Sequence, residues 1–161
     1  MTNITTILFY GIGGQGVLTA AEICARAALL EQQDVKKTEI HGMAQRGGSV
    51  ESFVRFGSSV YSPLPVDGKA DVLVCLHAEE HARFSSKLND GGKDISPFLT
   101  RADAAVGENK KFINSYMLGV LAAQLTFLPS TWETAMEQVF KRNIEENKTF
   151  FRQGFIEGKR A

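Results

Sequence analysis

The sequence predicts an α/β fold: a single Rossmann-like domain with a mostly parallel sheet and a β-hairpin, flanked by helices and closed by C-terminal helices. Three observations carry this expectation. An apolar, β-branched run, Ile4 to Tyr10, passes straight into the glycine turn Gly11-Ile12-Gly13-Gly14-Gln15-Gly16, and Val17 to Leu30 follows as an Ala- and Leu-rich helix. A second glycine-rich stretch, His41 to Ser49, leads into a new apolar run where a crossover helix would be expected. From Phe112 onward the pattern is helical throughout.

Gly11, Gly13 and Gly16 satisfy G-x-G-x-x-G between a strand and a helix, the context that gives this motif meaning. Glycine there allows a tight turn, a close backbone approach to a phosphate, and close packing of helix on strand. A tight turn that binds nothing has the same pattern. After the first helix, Glu31 to Asp34 is a polar break and Val35 to Ile40 reads as a second strand. Val50 to Phe56 is a third strand, Gly57-Ser58-Ser59 a turn, and Val60-Tyr61-Ser62 a short return strand that would complete a hairpin. Pro63 and Pro65 make Ser62 to Gly68 a non-helical connection.

Asp71 to Leu76 has the composition of a central strand, with His77 at its carboxyl end. Ala78 to Leu88 reads as a polar helix ended by Asn89-Asp90-Gly91-Gly92, and Lys93 to Lys111 shows no clear pattern. Met117, Leu118, Leu121, Leu125 and Leu128 share helical spacing, with Gly119, Ala122 and Ala123 allowing a close neighbour; Pro129 would stop that helix. Ser130 to Glu133 has the form of a capping box for a helix burying Trp132, Met136, Val139 and Phe140. Ile144 to Gly158 carries Phe150, Phe151, Phe155 and Ile156, a helix that would dock on its own core or cover a partner.

Eighteen basic and eighteen acidic residues balance, so the chain has no broad electrostatic footprint for nucleic acid. No apolar run approaches the roughly 18 residues of a membrane span. The amino terminus lacks the pattern of a signal peptide, so a cytoplasmic location is expected. Cys24 and Cys75 lack a C-x-x-C pattern and read as buried core residues. There is no G-x-S-x-G elbow, H-E-x-x-H or Walker lysine, and no catalytic residue is assigned.

His77-Ala78-Glu79-Glu80-His81 has metal-ligand spacing on a helix but no identifiable third ligand, so no metal site is assigned. Glu39 lies near the distance at which a dinucleotide fold places its ribose-binding acid, leaving a nicotinamide reading open. Arg46, between glycines, can fork onto a phosphate, a carboxylate or a partner's acidic group; alternatively it braces the loop against Glu39. In open α/β sheets ligands collect beyond the carboxyl ends of strands. The two glycine stretches and His77 are therefore expected to face one crevice.

The turn Gly11 to Gly16, followed by His41-Gly42-Met43-Ala44-Gln45-Arg46-Gly47-Gly48-Ser49-Val50, resembles the 2-oxoacid:ferredoxin oxidoreductase gamma-type domain, and its indolepyruvate members in particular. Tyr61-Ser62-Pro63, Asp71 to Leu76, Gly91-Gly92-Lys93, Asn114 to Gly119 and Glu146 to Gly154 match in the same order, so residues 1–161 read as one such domain. The resemblance implies an accessory subunit in oxidative decarboxylation of an arylpyruvate-type 2-oxoacid to an acyl-CoA, with electrons passing to ferredoxin. Thiamine diphosphate and the iron–sulfur clusters would sit on a partner chain, while this chain would contact coenzyme A or that partner, or form a homodimer when isolated.

The cofactor-contacting residues the resemblance suggests are Gly11, Gly13, Gly14, Gln15, Gly16, Gln45, Arg46, Gly47 and Gly48. A stand-alone nucleotide- or CoA-binding regulatory module is the competing expectation. Asp94 to Lys111 is shorter than the family pattern requires, so that either a strand is lost, leaving an unpaired sheet edge, or a disordered stretch is missing from this interval.

Overall fold

The computed structural model describes residues 3–42 and 47–161. Its centre is β1 (Thr5–Ile12), whose Ile7, Leu8, Phe9 and Tyr10 are all fully buried. A strand buried on both faces needs cover on both, and the chain supplies it unequally. Helix α1 (Val17–Leu30) packs on one face of the sheet, against β1, β2 (Asp34–His41) and β3 (Ser49–Gly57). On the other face, Leu8, Tyr10, Phe53, Leu73 and Cys75 cluster around Phe84 of α2 (His81–Phe84), a single helical turn.

Five strands lie in the order β2-β3-β1-β4-β5, where β4 is Ala70–Cys75 and β5 is Leu88–Asp94. The pairs β1–β4 and β4–β5 are parallel, whereas β3 runs antiparallel to both β1 and β2. Four strands therefore point one way and β3 alone is reversed. The hairpin is β2–β3, joined through the second glycine stretch, and not β3 with Val60–Ser62 as the sequence suggested. Both edges of β3 are occupied by β1 and β2, so no place remains for a return strand. Side chains satisfy that segment instead. The Val60 N–H donates to Asp34 (2.7 Å), and the Arg55 guanidinium donates to the carbonyls of Ser62 (2.7 Å) and Leu64 (3.1 Å).

Residues 78–87 break into two 3₁₀ turns around α2, and Asn89 to Gly92, read as a helix terminator, lies inside β5. Phe84 is the residue of this stretch that the core takes up, so one turn suffices. The interval that showed no pattern holds α3 (Leu99–Val106) between two 3₁₀ turns. Helix α4 spans Ile113–Gln124, ending before Leu128, which is 64% exposed. Pro129 does not stop it; Pro129 opens α5 (Pro129–Val139), where a missing N–H costs nothing. The expected capping box is absent: Leu128 is the N-cap, and Glu133 pairs with Arg152.

Helix α6 (Ile144–Arg160) docks on α4, burying Phe151 and leaving Ile156 half exposed. Its crossing depends on small residues. A Cβ on Gly119 would run into the Phe151 carbonyl, and one on Gly154 into that of Tyr116. Within this layer the Ser115 hydroxyl donates to Asn147 Oδ1 (2.6 Å). Trp132, fully buried, joins α5 to this layer through Phe127 and Phe151. Cys24 and Cys75 are both buried and free, and burial pushes both thiols upward.

Candidate functional site

The glycine turn departs from the roles its motif suggested. Gly11 lies within β1, where a Cβ would press on Gln15 and Val17 (3.0 Å each) and on Leu76 (3.3 Å). Gly16 is the left-handed N-cap of α1, with φ 81° and its Cα against Asn114 of α4. Gln15 folds back over the turn: its Oε1 accepts the Ile12 N–H (3.0 Å), and its Nε2 lies 3.3 Å from His77 Nδ1. The side chain thus ties the turn to the end of β4.

The two glycine stretches meet. The Gly13 N–H donates to the Gly48 carbonyl at 2.9 Å, and the Gly42 N–H donates to Ser49 at 2.6 Å. The Ser49 hydroxyl then donates to Glu80 (2.8 Å), linking this rim to the segment after β4. Gly11, Gly13, Gly14, Gln15, Gly16, Gly47, Gly48 and His77 are therefore gathered at the carboxyl ends of β1 and β4. Gln45 and Arg46 lie outside the described residues.

A cavity of about 610 Å³ opens beside Gln15 and His77, lined also by His81, Ser96, Leu99 and Lys110. A second, of about 390 Å³, shares Gln15, Leu76, Lys110 and Ile113 with it and reaches Gly14, Gly16, Lys111 and Asn114. Lys110 and Lys111 were not singled out by the sequence, because a 3₁₀ turn between α3 and α4 brings them to the glycine turn across a long chain separation. Lys110 pairs with Asp103 (2.6 Å) at the cavity wall.

Behind the wall the Tyr10 hydroxyl is hydrogen-bonded to His81 Nδ1 (2.7 Å), and His81 Nε2 faces Asp94 Oδ2 at 3.2 Å. Burial, reinforced by Cys75 and Asp94, holds the Tyr10 phenol far above its usual range, so it remains a neutral hydroxyl. Tyr10→Phe is expected to lower stability by about 1–2 kcal/mol, the cost of a buried hydrogen bond whose partner stays behind. Urea denaturation measures it, and an unchanged midpoint would show the hydroxyl to be dispensable.

This geometry argues against two of the alternatives. His77 is extended, so it does not share a helical face with His81, and the two rings engage different partners. Among the described residues no cluster of three His, Cys, Asp or Glu is placed to hold a metal. Strand β3 separates Glu39 from β1, and the Glu39 carboxylate is taken by Lys37 (3.3 Å). A nicotinamide ribose at the glycine turn would not find it.

The family model for pyruvate ferredoxin/flavodoxin oxidoreductase matches residues 6–157. The chain belongs to that family. It is 49% identical over 114 residues to indolepyruvate oxidoreductase subunit IorB of Archaeoglobus fulgidus, covering 66% of this chain and 56% of that protein. The chain spans about half the length of the curated relatives it matches. The keto/oxoacid ferredoxin oxidoreductase gamma subunit of Geobacter sulfurreducens superposes with a TM-score of 0.77 at 26% identity, covering 98% of this chain and 99% of that one. The 2-oxoglutarate:ferredoxin oxidoreductase of Magnetococcus marinus, with 2-oxoglutarate, coenzyme A and succinyl-CoA bound, shares the fold at TM-score 0.80 and 18% identity; the match covers 99% of this chain and 31% of that one. Among the described residues, no helix of this family member is long and apolar enough to cross a membrane.

Proposed function

We propose that residues 1–161 form one gamma-type domain, the subunit of a 2-oxoacid:ferredoxin oxidoreductase of the arylpyruvate type that holds neither thiamine nor an iron–sulfur cluster. In this reading it contacts the phosphates of coenzyme A, and a partner chain carries thiamine diphosphate, the clusters and the route to ferredoxin. Membership of the family supports the general assignment, and the identity to IorB-type subunits supports the arylpyruvate type.

The observation that carries the site is the Gly13–Gly48 hydrogen bond. It joins two glycine turns beside a cavity flanked by Lys110 and Lys111. Backbone amides near the start of a helix and the Lys111 ammonium suit a phosphate without any catalytic acid or base, and Lys110 would join them by leaving Asp103. The larger cavity has the volume of a small-ligand site. Bound coenzyme A would supply the thiol that accepts the acyl group; this chain's part would be to position it.

Reconstitution tests the assignment. Added to a thiamine- and cluster-bearing partner chain, the protein is expected to restore arylpyruvate- and CoA-dependent viologen reduction, while neither chain is active alone. Full activity of the chain by itself, or no effect on the partner, would overturn it. Within the reconstituted complex, Arg46→Ala is expected to weaken coenzyme A binding about 10- to 100-fold, the loss of one charge-assisted phosphate contact. A wild-type KM for coenzyme A in that variant would remove Arg46 from the site.

A further inference from the structure

We infer that the exposed edge of β2 pairs with the β2 edge of a second copy of this chain, making one continuous sheet across a two-fold axis through Thr38. The inference rests on the strand and its surroundings and is independent of the coenzyme A assignment. An edge strand presents a row of unpaired main-chain groups, and proteins usually blunt such edges with bulges, proline or charged side chains, lysine above all. At the opposite edge, β5 is blunted: its register against β4 is irregular, Gly91 has a φ of 76°, and Lys93 is tied to Gln124. Strand β2 is regular over its whole length against β3 and contains no proline. It does carry four charged side chains, but they sum to zero and pair along their own strand, Lys36 with Asp34 (3.4 Å) and Lys37 with Glu39 (3.3 Å), so no unbalanced charge repels a second copy.

Pairing with β3 fixes which groups point outward. The Gly42 N–H donates to Ser49 opposite it, so Gly42, and by alternation Ile40, Thr38 and Lys36, turn their main-chain groups toward β3. Val35, Lys37, Glu39 and His41 turn theirs outward. A two-fold axis normal to the sheet keeps each face on its own side, so residues paired across it must lie on the same face. The axis must then pass beside one residue. Centred on Lys37 it sets two lysines opposite each other, and centred on Glu39 two glutamates. Centred on Thr38 it sets Lys37, which in its own chain bridges Glu22 (2.7 Å) and Glu39 (3.3 Å), opposite the second copy's Glu39 on both sides of the axis, Val35 opposite His41, and the Lys36 stem against Ile40. It also brings every outward-facing residue into the new ladder.

Along β2, on the face covered by α1, runs a groove of about 490 Å³ lined by Leu29, Leu30, Val35 and Lys37. Leu29 is 56% exposed. The same axis places the second copy's Leu29 and Leu30, which sit beside its own Val35, at the His41 end of this strand, near Leu18; Ile40, 41% exposed, is covered on the opposite face.

Analytical ultracentrifugation of the isolated chain is expected to give a dimer at micromolar concentration. Glu39→Lys, which opposes lysine to lysine, is expected to give a monomer with an unchanged circular dichroism spectrum. Thr38→Cys places two thiols at a non-hydrogen-bonded pair, where Cα atoms lie about 4.5 Å apart and a disulfide can close. Mild oxidation should link that variant covalently and leave Lys36→Cys unlinked. A monomer at all concentrations, a dimer unaffected by Glu39→Lys, or linkage through position 36 in place of 38 would overturn the proposal. So would amide protection of β2 that appears only on adding another subunit, which would assign the edge to an extended strand of that partner.

Discussion

Gly119→Val is expected to lower the melting temperature by roughly 8–16 °C, the equivalent of about 4 kcal/mol in a chain of this size. The obstacle is main chain, not a side chain that can rotate away. A Cβ on Gly119 would sit against the Phe151 carbonyl and close to the Phe155 amide, both fixed within α6. Relief requires moving α6 off α4, which would uncover Tyr116, Val120 and Phe151 and separate Ser115 from Asn147. Overpacking of this kind costs more than the added methyl groups return. A melting temperature within about 2 °C of the parent would show that the two helices can part cheaply.

Gly16→Ala is expected to cost about 2–4 kcal/mol and, in the reconstituted complex, to reduce CoA-dependent turnover at least tenfold. The left-handed conformation at φ 81° accounts for about 1–2 kcal/mol of this. The remainder comes from Asn114, whose Nδ2 would lie 2.5 Å from the new Cβ. Asn114 is buried at the start of α4, and its Oδ1 accepts the Ser115 N–H (2.8 Å), which keeps the amide from turning aside. Gly14→Ala provides the comparison: its φ is similar, 89°, but nothing lies within 4 Å of the added carbon. Gly14→Ala should therefore show the conformational cost alone. Equal melting temperatures for the two variants would show that Asn114 does not constrain the turn.

The sequence was most legible where local chemistry and tertiary demand agree. Strand β1, the glycine turn and α1 were readable because apolar run, glycine spacing and Ala-rich helix each specify their own structure; the helix bounds, Val17–Leu30, match the expectation. The hairpin was anticipated with the wrong partner. Val60-Tyr61-Ser62 has strand composition, but only the sheet order shows that β3 has no edge left to offer. Residues 78–94 misled for the opposite reason. Asn89 to Gly92 is turn-like composition held in a strand, with Gly92 pressed between Asn89 and Asp71. Ser130 and Glu133 had capping-box spacing, yet Arg152, nineteen residues beyond Glu133, claims the carboxylate.

At the site, the glycines and His77 were visible as punctuation at strand ends. Lys110, Lys111 and Asn114 were not, because α3 and a 3₁₀ turn, neither patterned in sequence, carry them there.

The layering of the helices has a consequence for synthesis. All five strands are complete by Asp94, but α4, apolar almost all round and met on other sides by α1 and α3, acquires cover on its remaining side only when α6 is made. Its buried run from Asn114 to Ala122 must therefore wait through about two dozen further residues, and then for the ribosomal tunnel to release the end of α6. In that interval a chaperone's apolar groove would find a ready substrate, and a nascent chain arrested just after Pro129 would be more prone to aggregate than one arrested at Asp94.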